Sequence, residues 1–463
     1  MTRINTNVAS LVAMSDLFKS NQSMETSLQR LSSGLRINSA KDDPAGLIIS
    51  EMLRSEMTSI SQAIDNTERA SNVIATTEGA LNEVSSLLND VRDLVVEAAS
   101  TGSLTAEEID ANQLQIDSAV ESITRIANST TFGGTQLLNG NLDFQTSGVT
   151  ATDISQINID QASFGAASSV TVDYAGITAA TNGTIAFNED AHATDGLVVE
   201  VTGNKGSMTF SFAGGADAAD MRDAIDAAKD VTGVEANGNN LRSVGVGSDQ
   251  FAQIRIVSGS AGAIADTRDT GDDISGTING QEIVGDGNVA TINTTSLKAE
   301  VTFEAGTAAS GSFDIDGGGA TFQIGQEINS NGQVRLGIQS VTASNLGGGT
   351  APGVLSSIVT GGGNSLLDSK QADAAEIVDK AILDIATLRG RLGAVQRNTL
   401  DTNVNSLQVT LENLTSSEST IRDTDFAKET AQLTRNQILV SAGMSVLATA
   451  NSTPQSVLSL LRG

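Results

Sequence analysis

The chain holds one histidine, His192, in the polar stretch NEDAHATDG, and no cysteine. A Ser-His-Asp triad needs an imidazole framed by a nucleophile and an orienting carboxylate. His192 has no apolar framing, and its surroundings are those of a solvated loop. A zinc hydrolase helix of the HExxH kind needs two histidines four apart, so that chemistry is excluded by count. Thiolate nucleophiles, disulfides and cysteine-bound metals fall with the missing cysteines. Two acidic stretches remain. DTRDTGDD, residues 266–273, offers Asp266, Asp269, Asp272 and Asp273 as oxygen ligands, but it lacks the ligand spacing, central glycine and closing glutamate of a calcium loop. It reads as a charged turn. FDIDGGG, residues 313–319, sets carboxylates beside glycines, and Asp-Gly between two strands is expected to be a hairpin turn. The glycine-rich GVGSDQ and SGSAGA are followed by no Lys-Ser/Thr and open no helix, so neither cradles a phosphate. No cofactor, no metal and no enzymatic activity are expected.

The formal net charge of −29 over 463 residues rules out binding nucleic acid by phosphate neutralisation. The start, MTRINTNVASLVAMSDLFKS, has no basic region followed by an unbroken apolar core, and no apolar run reaches the ~18 residues of a spanning helix. Neither a cleaved signal peptide nor membrane insertion is expected.

With so little chemistry to position, the elements themselves become the subject. Ile60, Thr67, Ile74, Leu81, Leu88 and Val95 recur every seven residues, beside a second row of Val73, Ala80, Leu87 and Leu94. That spacing predicts one long helix over about 45–99 with a coiled-coil-like seam. At ~1.5 Å per residue it would run roughly 80 Å and must pack against other rods. A second helix is predicted to start at Thr105, with Glu108 completing a capping box, and Ile109, Ile116 and Ile123 continue the spacing. NSTTFGG, residues 128–134, leaves helix at Gly133 and Gly134 for a hairpin. Near the other end Val378, Ile385 and Leu392 form one row. After a one-residue slip Leu400, Leu407, Leu414 and Ile421 form another, then Phe426, Leu433, Val440 and Leu447 a third. Such a slip marks a kink or a change of packing partner.

The middle alternates with period two: Met208, Phe210 and Phe212; Ile254 and Ile256; Val301 and Phe303; Val334, Leu336 and Ile338. These are predicted half-buried strands. ADAADMRDAIDAA, residues 216–228, places Met221, Ala224, Ile225 and Ala228 on one helical face inside a strand-helix-strand unit. The fold class is therefore mainly α terminal regions, with long paired coiled-coil-like helices, plus a β-rich α+β central insert.

LSSGLRINSAKDDPAGL interrupts the helical pattern. Leu28, Leu31 and Leu35 end an apolar row, Gly34 loosens the turn, and Arg36 to Lys41 form a polar loop. Asp43 is placed to cap the next helix, with Pro44 at its first position. This stretch, the opening INTN and the C-terminal ESTIRDTDFAKETAQLTRNQILVSAGMSVLATANSTPQSVLSLL together resemble bacterial flagellin over about 140 N-terminal and 90 C-terminal residues. The insert stretch VTGVEANGNNLRSVGVGSDQFAQIRIVSG and the strands GGATFQIGQEINSNGQVRLGIQSVTASNLG resemble the family more weakly.

The resemblance implies a structural subunit that self-polymerises into the flagellar filament for swimming motility. It implies an inner-tube coiled-coil domain from 1–44 with 420–463. An outer-tube helical domain with a β-hairpin takes 45–175 with 345–419, and a surface-exposed β-rich variable domain takes 176–344. Self-assembly would rest on Leu11, Phe18, Leu28, Leu31, Gly34, Arg36, Asn38, Asp42, Asp43, Pro44, Phe426, Leu433, Val440 and Leu447. The first and last ~40 residues are expected to fold on docking, since their apolar rows have no internal partner large enough to cover them. Implied partners are copies of itself, an export chaperone, the cap and hook-junction proteins and a host innate receptor; the implied location is the extracellular filament, reached without a cleaved signal peptide. LLNDVRDLVVE, residues 87–97, resembles the stretch of flagellins sensed by Toll-like receptor 5. Arg92 and Leu94 fit it, whereas Asp90 stands where such flagellins carry arginine and Gln115 where they carry glutamate. A charge reversal at a contact can cost several kcal/mol, so weakened recognition is expected. Three alternatives stand beside this reading: a hook-filament junction protein, which shares the terminal design; a coiled-coil surface adhesin, which would need a signal and an anchor; and a flagellin with an enzymatic insert.

Overall fold

The seven-residue rows fold as the rods they predict. The computed structural model describes residues 6–100, 104–165, 167–187, 193–261, 265–294, 296–304, 306, 309–349 and 352–462; His192 lies outside them. The helices are α1 (Val8–Ser33), α2 (Pro44–Ala98), α3 (Ala106–Ser129), α4 (Ala218–Asp226), α5 (Lys229–Thr232), α6 (Gln371–Val395), α7 (Thr402–Arg422) and α8 (Phe426–Arg462). At 55 residues α2 is about 80 Å long. None of the described helices is long and apolar enough to cross a membrane.

The chain divides into two compact units: one of Met1–Glu68, Gly325–Glu327 and Asp401–Gly463, the other of Arg69–Ile324 and Ile328–Leu400. In the second unit Ile74, Leu81, Leu88 and Val95 of α2 are fully buried against Ile116 and Ile123 of α3 and Val378, Ile385 and Leu392 of α6. The second row, Ala80, Leu87 and Leu94, lies half-buried at the margin of that core. Each fully buried Leu or Ile contributes ~1.5–3 kcal/mol, so these rows are a large stabilising term for the helical core. Thr105 and Glu108 form the expected capping box on α3, with Thr105 N–H donating to Glu108 Oε2 at 2.7 Å. The two-residue turn Gly133-Gly134, both at positive φ, closes the hairpin that follows.

The one-residue slip in the C-terminal rows has a physical cause. Gln396–Asp401 is a π-helical turn, which absorbs one extra residue, so that Leu400 rather than residue 399 is the next buried position after Leu392. The side chain of Gln396 at this turn donates to Ser71 Oγ of α2 at 3.0 Å.

The middle is antiparallel throughout the described pairings. A five-stranded sheet, containing Val170–Thr178 between Ser275–Ile278 and Gly311–Gly318, shares one core with a four-stranded sheet built on Leu297–Phe303 and Ile154–Ala162. Tyr174 and Phe303 meet edge to face there, with ring centroids 5.5 Å apart. A second core lies between the sheet of Ala193–Gly203, Ser207–Phe212 and Phe251–Ala261 and the helix α4, whose Met221 and Ile225 are fully buried, as the strand-helix-strand pattern predicts. Met208 departs from its predicted strand face: it is exposed, while Phe210 is the one buried residue of that strand. Arg391 of α6 reaches Asp160 and donates to the Gly337 carbonyl at 3.2 Å, tying helical core to strands. Burial lowers the Arg391 pKa to about 10, against the opposing pull of Asp143.

FDIDGGG is not a hairpin turn. Its strand, Gly311–Gly318, pairs with Val170–Thr178 and Phe144–Ser147, and the next strand, Ala320–Gln323, pairs in a different sheet. The glycines make the corner between sheets: Gly318 sits at φ 87°, and a Cβ there would come within 2.2 Å of the Asp143 carbonyl.

Deleting the exposed Asn398 is expected to convert the π-turn to continuous α-helix while leaving Val378, Ile385, Leu392 and Leu400 buried. The check is a thermal melt with circular dichroism; a lost cooperative transition would show that packing requires the extra residue.

Candidate assembly surface

In the first unit α1 and α8 run antiparallel, and the face they share alternates large apolar residues with small and polar ones. On α1 it comprises Ser10, Leu17, Met24 and Leu31 with Ala13, Ser20 and Ser27; on α8 it comprises Leu433, Val440 and Leu447 with Asn436, Gly443 and Ala450. Both sets keep seven-residue spacing. Gly443 admits the close approach: a Cβ there would lie 3.3 Å from Leu17 Cδ1. Asn7 caps α1 by accepting the Ser10 N–H at 3.1 Å, and its amide donates to the Ala450 carbonyl at 2.7 Å. Asn436 is buried at 3% exposure and its Nδ2 has no hydrogen-bond partner.

Many further large apolar side chains lie outside this seam. Val8, Leu11, Val12, Met14, Phe18 and Leu28 of α1 are exposed, Phe18 by 71%, as are Ile438, Leu439, Met444 and Val446 of α8. Of the residues expected to serve assembly, Leu31, Leu433, Val440 and Leu447 therefore sit in the seam, half-buried, while Leu11, Phe18, Leu28 and Phe426 face solvent. A monomer that leaves this much contiguous apolar side chain in water carries an interaction surface.

The joint between α1 and α2 lies against the break between α7 and α8. Gly34 ends α1 in the left-handed conformation at φ 72°, as helix C-termini favour. Leu35 then forms an antiparallel bridge with Asp423, flanked by Arg36 N–H donating to the Arg422 carbonyl at 2.7 Å and Thr424 N–H donating to the Gly34 carbonyl at 2.9 Å. The Arg36 guanidinium donates to the Ile421 carbonyl, putting positive charge on the negative end of α7. Asp42 Oδ2 accepts the N–H groups of Ser39 and Asn38 at 2.9 and 3.1 Å. Those backbone donors, Ser39 first, hold its carboxyl below the ordinary aspartate value. Asn38 in turn donates its side-chain amide to Ser33 Oγ at 3.1 Å.

Asp43 accepts the Gly46 N–H at 2.9 Å, capping α2 with Pro44 at its first position. Asp425 caps α8 in the same way, accepting the Lys428 N–H at 3.1 Å. Arg422 adds a 3.0 Å ion pair to Glu51 of α2. The loop is not wholly polar: Ile37 is 2% exposed and packs beside Gly46. Sequence reading missed Ile37 and Gly46 because a single apolar residue in a polar loop has no periodicity to betray it. It also missed the small and polar rows of the seam, Ala13, Ser20 and Ser27 on α1 and Asn436, Gly443 and Ala450 on α8, although it found Leu433, Val440 and Leu447.

Elsewhere Asp90 and Gln115 are exposed, Leu94 is half-buried on the helical core, and Arg92 makes a 2.6 Å ion pair with Asp379. The acidic stretch 266–273 is structural. Asp266 accepts the Ile256 N–H at 2.6 Å, Asp269 the Thr184 N–H at 2.7 Å, and Asp273 the Ser248 and Gly287 N–H groups, both at 2.9 Å. Among the described residues no cluster of three or more His, Asp or Glu could hold a metal ion.

Long rods with a buried seven-residue core, a terminal helix pair that turns apolar residues outward, and a β-rich insert define a class: a rod-forming subunit made for polymerisation. Family profiles agree with that class. The profile described as bacterial flagellin N-terminal helical region matches residues 4–143, that of the bacterial flagellin C-terminal helical region matches 375–461, and the flagellin hook IN motif matches 196–242. The chain is 31% identical to the flagellin of Salmonella rubislaw over 518 aligned residues and 33% identical to the B-type flagellin of Pseudomonas aeruginosa over 505, with 99% of both chains covered in each case. Among solved structures, FliC from Burkholderia pseudomallei aligns with 71% of this chain and 98% of its own at 16% identity, with a TM-score of 0.25. The chain belongs to the bacterial flagellin family. It is a structural subunit of the flagellar filament, the extracellular polymer of bacterial motility.

Removing the α2 cap with Asp43→Ala is expected to cost ~1 kcal/mol. Gly46→Ala would ordinarily favour a helix, yet its Cβ would meet Asp43 Oδ2 at 2.6 Å and Ile37 Cδ1 at 2.7 Å, so it too is expected to destabilise. Urea melts check both, and a Gly46→Ala subunit as stable as wild type would contradict the packing described.

Proposed function

We propose that polymerisation proceeds by burial of the outward apolar faces of α1 and α8 against neighbouring copies, with no catalytic step. Carrying this reading is the apolar surface that the pair leaves over: the seam half-buries Leu17, Met24, Leu31, Leu433, Val440 and Leu447, while Leu11, Phe18, Ile438 and Met444 stay exposed. At ~1.5–3 kcal/mol for each large side chain buried, the outer faces can offset the entropy of ordering that the seam by itself leaves uncovered. Folding of the termini is accordingly coupled to docking, and the buried, unpartnered Arg30 Nε, Arg422 Nε and Thr424 Oγ1 near the joint are in keeping with a unit completed by its neighbours.

In this reading 1–44 with 420–463 forms an inner tube, 45–175 with 345–419 an outer tube, and 176–344 the surface domain. The joint residues Gly34, Arg36, Asn38, Asp42, Asp43 and Pro44 fix how the inner segment meets the outer one. Before assembly the exposed termini would need an export chaperone, and at the filament's ends they would meet the cap and hook-junction proteins through the same faces. Recognition by the innate receptor is weakened, because Asp90 reverses the charge of its contact and Arg92 is engaged by Asp379 within the subunit.

Phe18→Ser is expected to leave the monomer's stability within ~0.5 kcal/mol, as surface changes do, yet to abolish filament growth from sheared seeds seen by electron microscopy. Leu81→Ala, in the buried row, is expected to cost ~2–5 kcal/mol in the same monomer melt. Filaments of normal length from the Phe18→Ser subunit would overturn the assignment. In a receptor reporter assay, purified monomer is expected to signal weakly and Asp90→Arg to restore signal; a strong wild-type response would refute the weakening.

A further inference from the structure

The chain contains five Asn-Gly pairs, at Asn139, Asn182, Asn237, Asn279 and Asn331. In such a pair the glycine nitrogen can attack the asparagine side-chain carbonyl with little steric hindrance, provided the amide can turn and the N–H is free. Four of the five are tethered. Asn139 donates to Gln136 Oε1 at 2.6 Å and accepts the Asn141 N–H at 3.1 Å. The amide of Asn182 donates to the Ser243 and Gly245 carbonyls at 2.8 and 3.0 Å, and the Gly183 N–H is held by Ser243 Oγ at 3.1 Å. Asn279 accepts the Asp173 N–H at 2.9 Å. At Asn331 it is the nucleophile that is tied up: Gly332 N–H donates to Asn329 Oδ1 at 2.8 Å and to its carbonyl at 3.1 Å.

Asn237 differs from all four. It ends the strand Val234–Asn237, Gly238 and Asn239 make the hairpin turn, and Asn240 is its ladder partner. Asn237 and Gly238 are exposed, the Asn237 side chain has no hydrogen bond among the described residues, and Gly238 sits at φ 56° with no described atom within 4 Å of its Cβ position. The far side of the turn is anchored instead: Asn239 accepts Arg222 Nη1 of α4 at 3.2 Å, and its carbonyl accepts the Phe187 N–H at 2.8 Å. Swinging Asn237 out of extended backbone for the attack breaks only the terminal ladder pair.

We propose that Asn237 is a self-modification site, at which the folded subunit converts asparagine to aspartate and isoaspartate. Gly238 N attacks Asn237 Cγ and loses its proton as Nδ2 leaves as ammonia, giving a five-membered succinimide. Water then opens the ring at either carbonyl, to aspartate or to isoaspartate. No redox partner or enzyme is needed. Each event adds one negative charge to the insert's surface, and the isoaspartyl product lengthens the backbone by one methylene at the last pair of the hairpin. Water does not restore the amide, so the product is a covalent mark of the subunit's age.

The test holds the folded full-length protein in mildly alkaline buffer and follows each site by peptide mapping and mass spectrometry. Trypsin releases Asn237 within DVTGVEANGNNLR, and a second protease separates Asn139 from Asn182. Conversion at Asn237 is expected to outpace the other four by on the order of tenfold, the effect of one tethering hydrogen bond on a barrier. In denatured chain the five are expected to convert at comparable rates, and Asn237→Gln should remove the folded-state signal while leaving the melt unchanged. Even conversion across the folded sites, faster conversion elsewhere, or no conversion in folded protein would each overturn the proposal.

Discussion

A 55-residue helix cannot cover its own apolar row, and that constraint organises the helical part of this protein. The row from Ile74 to Val95 is fully buried because α3 and α6 bring Ile116, Ile123, Val378, Ile385 and Leu392 to it. Where the C-terminal row falls out of step by one residue the backbone itself yields, as a π-turn at Gln396–Asp401 that keeps Leu400 in the core. Thr67 and Thr77 are admitted to the buried face only because their hydroxyls donate to the Ala63 and Val73 carbonyls one turn back, at 2.7 and 2.8 Å.

The α1–α8 pair answers the same constraint in the opposite way. Its seam interleaves Leu, Met and Val with Ser, Ala, Asn and Gly and leaves most of them only half-buried, while a second set of large apolar residues, Leu11, Phe18, Ile438 and Met444 among them, is left outside. A two-helix unit built like this gains less from its own pairing than from further copies. Its attachment to the rest of the first unit is correspondingly explicit: the Leu35–Asp423 bridge, the Arg36 guanidinium on the end of α7, and aspartate caps on α2 and α8. These are directional contacts, which fix an angle where apolar packing alone would allow sliding.

The polar residues of the insert serve a similar end. Asp266, Asp269 and Asp273, the best candidates in the sequence for holding a cation, accept backbone N–H groups from other strands and loops. In a β-rich domain with short strands, carboxylates near turns supply the acceptors that the ladders leave out. Gln113 does the same work in the helical core: fully buried on α3, it donates to the Ile358 carbonyl and accepts the Leu366 N–H, pinning the loop that leads into α6.

Periodic features were legible from residue order alone, since a seven-residue row has one physical solution: the extents of α2 and α3, the capping box at Thr105, the Asp43-Pro44 start and the slip near 396 all follow from spacing and local backbone chemistry. The family likeness was likewise carried by linear motifs at the two ends. What residue order could not decide depended on which segments meet. Ile37, Gly46 and Gln113 acquire their roles from residues elsewhere in the chain or from a turn folded back on itself. DGGG became a corner between sheets rather than a hairpin because Asp143 lies against Gly318. The split of Leu11 and Phe18 to solvent and Ala13 and Leu17 to the seam follows from where α8 lies, since one helix face can be buried only by a partner that arrives on it. Local spacing sets the elements; tertiary contact chooses which of their faces is left over for the filament.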